Sequence, residues 1–221
     1  MIGKTVRAAC IAFALVPPAA SAATIDFDGL ATNILFSNGD TFTEDGFTFE
    51  VSFTGGSKVS GVSFFDTTCT GSACNGDTDL KPNGGQGTNG ISGNVMILQE
   101  NSSPIPDDAA ASGSVSLKLL SGSAFSWIGA SAVDDTVFTF STAADGVLGT
   151  IDLPADKDTG MVTFASSIIR VGDSITISYG GSGGVDALQL AAVPVPAAGL
   201  MLLTALGGLG VAQRRRARRK A

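Results

Sequence analysis

Short apolar runs with a period of two, broken every few residues by Gly, Ser, Asp or Asn, fill the middle of this 221-residue chain. Thr48-Phe49-Glu50-Val51-Ser52-Phe53 alternates, as do Ser114-Val115-Ser116-Leu117-Lys118-Leu119, Thr136-Val137-Phe138-Thr139-Phe140 and Ser174-Ile175-Thr176-Ile177-Ser178-Tyr179. Successive side chains of a strand point to opposite faces, so each run fits a strand with one dry and one wet face. Antiparallel sheets tolerate that asymmetry. Further strands are predicted at 25–27, 59–64, 95–99, 125–133, 147–153, 161–165 and 185–190, with no sustained helical period between them. Ten or eleven short strands with regular turn signals predict an all-β, two-sheet antiparallel sandwich of jelly-roll type over 23–192. A solenoid would need a repeat, and the sequence has none.

The two ends obey different rules. Lys4 and Arg7 precede a short apolar stretch at 8–16, and Ala20-Ser21-Ala22 supplies small residues at a cleavage position. Residues 1–22 therefore read as a secretory signal peptide cut after Ala22. At the far end, Val193-Pro194-Val195-Pro196-Ala197 leads into an uncharged run ending at Gln213. Arg214, Arg215, Arg216, Arg218, Arg219 and Lys220 follow at once. As a helix, 197–212 would be roughly 24 Å long, and counting from Val193 about 30 Å, enough to cross a bilayer. Proline is tolerated at a helix entrance, and Lys/Arg beside a span marks the cytoplasmic side. Both ends thus predict one topology: a body exported across the bacterial inner membrane, held in lipid by a C-terminal transmembrane helix at about 197–213.

The tail, 193–221, resembles the VPLPA-CTERM branch of the PEP-CTERM type of bacterial protein-sorting domain. Val193, Pro194, Pro196 and Ala197 match its short motif, and Val195 stands where the family has Leu. The resemblance implies that a membrane-embedded exosortase processes the tail and passes the protein to the cell surface or the extracellular space. It makes the tail a substrate and gives the chain no activity. Between the ends, Phe65-Asp66, Asp77-Thr78-Asp79-Leu80, 94–100, Pro106-Asp107-Asp108, Val133-Asp134 and 184–188 resemble blocks of ectodomains that such tails commonly carry. That similarity implies a carbohydrate-binding-module-like sandwich without a defined ligand.

Charge narrows the partners. All 20 acids lie between Asp26 and Asp186, while two of the 13 cations sit in the leader and six in the tail. The five that remain leave 23–192 at five minus 20, or −15. So acidic a body repels phosphate backbones, which excludes nucleic acid as a partner and suits divalent cations or basic partners. Of three cysteines, Cys10 leaves with the leader; Cys69 and Cys74, spaced C-x4-C on the oxidising side of a membrane, are expected to form a small-loop disulfide.

Catalysis finds little to work with. Gly180-Gly181-Ser182-Gly183-Gly184 fits G-x-S-x-G, yet the chain has no histidine to activate Ser182, and zinc hydrolysis fails for the same reason. The glutamates are Glu44, Glu50 and Glu100, with no spacing that pairs them for glycoside cleavage. A hydrolase is the weakest of the readings. Calcium is the open chemistry, because acidic Gly/Asn loops offer carboxylate and carbonyl oxygens. Asp66, Asp77, Asp79, Asp107 and Asp108 are expected in turns around a long loop at 69–93. Asp26 and Asp28 are expected on one face of the first strand, with Asp186 opening the last strand nearby. Two loop patterns fail: after Asp77-x-Asp79, Lys81 takes an EF-hand ligand position and Thr88 the closing one, and 181–186 misses the RTX repeat by one residue. The rival reading has these aspartates capping turns. A calcium-dependent module for extracellular polysaccharide is the alternative function, although Trp127, on one strand face with Phe125, reads as core rather than as a sugar platform.

Overall fold

Alternation and short apolar runs predict eleven of the twelve strands found among the described residues, at least by overlap. The computed structural model describes residues 22–70, 79–82, 88–103, 105–134, 136–193 and 206–208. The strands are β1 (Ala22–Ile25), β2 (Thr41–Glu44), β3 (Phe47–Gly55), β4 (Gly61–Asp66), β5 (Asn94–Gln99) and β6 (Gly113–Ser121). They continue with β7 (Phe125–Val133), β8 (Val137–Thr142), β9 (Gly146–Asp152), β10 (Thr159–Ile169), β11 (Ser174–Tyr179) and β12 (Gly184–Ala192). The unforeseen one is β2, whose four residues are too few to show a period.

They form two six-stranded antiparallel sheets packed as a sandwich. The first runs β10-β7-β12-β5-β4, with β1 also beside β12; the second runs β2-β3-β6-β11-β8-β9. From β5 onward the chain passes between sheets at nearly every connection, staying in one only at the β8–β9 hairpin. The hub is β12. Along one flank lies β7, from Gly184↔Val133 to Ala192↔Phe125. The other flank is shared: β5 pairs at Gly184↔Ile97 and Val185↔Met96, and β1 takes over from Ile25↔Leu188 to Ala22↔Ala191.

Between the sheets the core is aromatic. Phe27 and Phe64 stack at 5.2 Å, Phe42 and Phe49 at 5.5 Å, and Trp127 meets Phe164 edge-on at 5.0 Å. Trp127 is fully buried and donates its Nε1–H to Gly129 O at 2.9 Å, so it is core, as its strand position predicts. Tyr179 on β11 donates its hydroxyl across the sandwich to Met96 O on β5 at 2.9 Å. The bond satisfies a phenol that burial would otherwise penalise.

The outer faces differ. In the second sheet β11 alternates half-buried and buried residues, and β3 and β6 alternate over most of their length, the wet-face pattern of the sequence. In the first sheet β5 is buried throughout and β4 nearly so. A second cluster of Phe65, Cys69, Leu80, Ile91, Val95, Ile97 and Val133 explains this, because chain from the β4–β5 connection covers that outer face. Among the described residues no helix is long and apolar enough to cross a membrane. Most of the expected span, and all of its basic end, lie outside the described residues.

Candidate functional site

The point where β1 stops and β5 starts, both against one flank of β12, gathers the carboxyls of Asp26, Asp28, Glu44 and Asp186. Asp26 and Asp28 were expected on a strand; they lie instead in the turn that ends β1. The cause is Phe27, whose φ of 60° leaves the extended region so that its ring can enter the core. A bulky residue pays for positive φ, and the turn is held by a dense set of bonds. Asp26 Oδ1 accepts the Asp28 N–H at 3.2 Å, and Leu30 N donates to Phe27 O at 3.0 Å. Asn94, first residue of β5, donates its Nδ2 hydrogens to Phe27 O and Leu30 O at 3.0 and 2.9 Å. Asp28 Oδ1 accepts the Asn94 N–H at 2.7 Å.

Asp186 enters through a break in β12. The register with β7 slips between Asp186 and Gln189, and Ala187 sits at φ 48°. A β-bulge of this kind re-aims a side chain. The Asp186 carboxylate is fully buried and accepts the Ser92 N–H at 3.1 Å and the Ala187 N–H at 2.5 Å. Burial raises its pKa from 3.8 to about 8, helped by Asp28 and Asp26 and opposed by those two amides. Segment 88–93 is tied to the same place: Ser131 Oγ donates to Asn89 O at 2.6 Å, and Asn89 Nδ2 donates to Thr159 O at 2.7 Å. Gly93, at φ +68°, has no room for a side chain, since a Cβ there would lie 1.9 Å from Asp28 Oδ1.

Glu44, on the unforeseen β2, completes the group. Its Oε1 accepts the Gly29 N–H at 3.1 Å, while Oε2 is buried and meets no hydrogen-bond donor among the described residues. Burial first, then Asp26 and Asp45, raise its pKa from 4.5 to about 7. A proton on Glu44 gives it a hydrogen to share with Asp26, which two ionised carboxylates could not do. Beside the cluster lies an open groove of about 410 Å³, lined in part by Thr24, Asp26, Ser92, Ile128 and Gln189. It offers hydroxyls, an amide and a carboxylate.

The remaining predicted acids are scattered. Asp66 Oδ1 caps the Thr68 N–H at 2.7 Å, and Asp79 Oδ1 caps that of Leu80 at 3.0 Å. Asp107 faces Asn101 at 3.1 Å and is held above the ordinary carboxylate range, by burial and then by Glu100. Asp108 accepts the Gly183 N–H. Ser182 donates to Asp134 at 2.9 Å in the turn before β12. Asp77 lies outside the described residues. Among those described, no three Asp, Glu or Cys form a group that could hold a metal ion. Cys69 is disulfide-bonded, whereas its expected partner Cys74 is outside the described residues. Ala22 opens β1 and Val193 follows β12 directly; Ala20, 194–197 and 214–220 are outside the described residues. No protein-family model matches the chain, and no curated protein matches it.

Proposed function

We propose that this chain is an exported β-sandwich protein with no catalysis of its own, anchored in the membrane by its C-terminal segment. An exosortase-like enzyme processes that segment, and the sandwich is deployed at the cell surface or in the extracellular matrix in a structural or adhesive role. One observation carries this: a leader with Ala20 and Ala22 at one end is matched by a Pro-containing motif, apolar run and basic stop at the other. The body suits the route, since a domain carrying a disulfide at Cys69 belongs in an oxidising compartment. Strand order supports reading the body as a jelly roll, with β5-β12-β7-β10 facing β6-β11-β8-β9. Mass spectrometry of the protein from its host should find an N-terminus at Ala23 and a C-terminus near Pro196. An intact Arg-rich end on all exported material would refute the processing.

A second reading, binding of extracellular polysaccharide, is favoured by the groove beside Asp26. Sugar affinity lost in Gln189→Ala would support it, and glycan arrays silent at high protein concentration would count against it. Calcium would join this reading only if chelation weakened the binding.

A further inference from the structure

The turn that ends β1 is fastened across the sandwich to the opposite sheet. β1 belongs to the first sheet and β2 to the second, and the Gly29 N–H reaches Glu44 Oε1 at 3.1 Å. The fit is close: a Cβ on Gly29 would lie 3.3 Å from that oxygen. Glu44 is only 7 % exposed, and its second oxygen meets no donor among the described residues. The Asp26 carboxyl stands within hydrogen-bonding reach of Glu44. The charged groups acting on Glu44 are Asp26, from the turn, and Asp45, which follows β2. Asp26 and Asp28 act in turn on Asp186 of β12. All of these groups are acids.

We propose that a single proton shared by Glu44 and Asp26 pins the β1 turn to β2, and that losing this proton loosens the turn. Two ionised carboxylates in contact at a buried site have no hydrogen between them and repel each other. With the proton in place, Glu44 accepts from Gly29 through one oxygen and donates to Asp26 through the other. Without it, the repulsion falls on the less secured side. Glu44 is held in a hairpin by its pairing with Phe47, whereas β1 is four residues long and pairs along one flank, with β12. Burial of Ile25 and Phe27 in the core opposes release, so the turn opens in a minority of molecules rather than coming away. Thr24 and Asp26 also line the open groove, and the same proton decides how firmly that wall stands. The pin is closed at acid pH and gives way as pH rises through about 7, the direction that a folded pKa raised from 4.5 to about 7 requires.

The test is amide hydrogen exchange of the full chain in detergent, read by mass spectrometry at pH 6 and pH 8 and corrected for the intrinsic pH dependence of exchange. Peptides covering 22–30 should exchange faster than those covering 174–179 at both pH values, which marks a local opening. Their protection should fall about tenfold from pH 6 to pH 8. Glu44→Gln, which carries its own hydrogen toward Asp26 at every pH, should erase most of that fall. Should Glu44→Gln fail to fold, Asp26→Asn decides, since it removes the facing charge and keeps an oxygen for the Asp28 N–H; it too should shrink the fall. Protection of 22–30 that ignores pH, or an equal fall in the folded variant, overturns the proposal. So does exchange of 22–30 and 174–179 at one common rate, which would mean that the whole fold opens and the turn has no latch of its own.

Discussion

The two sheets have the same number of strands and opposite relations to water. The second is a plain half-buried sheet, with Val115, Leu117, Ile175 and Ile177 inward and Ser116 and Thr176 outward and only half covered. The first is dry on both faces along β4 and β5, because Leu80 and Ile91 lie over Val95 and Ile97. The same covering segment reaches Asp186, to which Ser92 donates its N–H. A carboxylate on the second sheet's outer face would be solvated and ordinary, whereas Asp186 in the first sheet, and Glu44 on the buried side of the second sheet's edge strand β2, are shut in and hold their protons toward neutral pH. Burial, more than the number of acids, makes the junction distinctive.

The sharpest test of this asymmetry is to hollow each outer face in turn. Ile97→Ala should cost about 3 kcal/mol, as in other buried large-to-small changes, read from chemical denaturation midpoints. A loss below about 1 kcal/mol would mean that the cover over the first sheet is loose. Gly93→Ala should cost about 2 kcal/mol, through positive φ and collision with Asp28. Asp28→Ala in the same chain should recover part of the loss, and strict additivity would break the link between the covering loop and β1.

The pH dependence comes next. Glu44 and Asp186 have folded pKa values raised above their unfolded ones. Their contribution is complete below about pH 4 and is lost as pH rises through about 7 and about 8. Thermal stability should therefore fall between pH 5 and pH 8.5, by up to about 1.4 kcal/mol per pH unit for each group. Glu44→Gln should flatten the lower part of that slope, and an unchanged slope would show that Glu44 is ionised in the fold. The smallest effect belongs to the wet face, where Thr176→Ala should stay within about 0.5 kcal/mol. A larger loss would mean that something covers the second sheet as well.

Much of the second sheet was legible because its alternation is what one wet face demands, as in 114–119 and 174–179. The first sheet was harder. Val95-Met96-Ile97-Leu98 is continuous and apolar because both faces are covered, so periodicity marks a strand there without saying which side meets solvent. The junction was half legible: first and last strands do pair, but Asp26 and Asp28 fall in a turn that Phe27 forces. The bulge at Ala187 had no signal, alanine being an unlikely residue at φ 48°. Glu44 was overlooked because a four-residue strand shows no period. Asn94 carried a weak hint, as a polar residue opening an apolar run.

One consequence of the hub strand concerns time. Since β12 is the last strand of the sandwich and the shared neighbour of β1, β5 and β7, each of those three waits for it: β5 for residue 185, β1 for residue 191 and β7 for residue 192. Partnerships as distant as Ala22 with Ala191 make for slow assembly and long exposure of half-built edges. The second sheet needs nothing beyond Tyr179, so the first sheet is the one that closes last, around its hub.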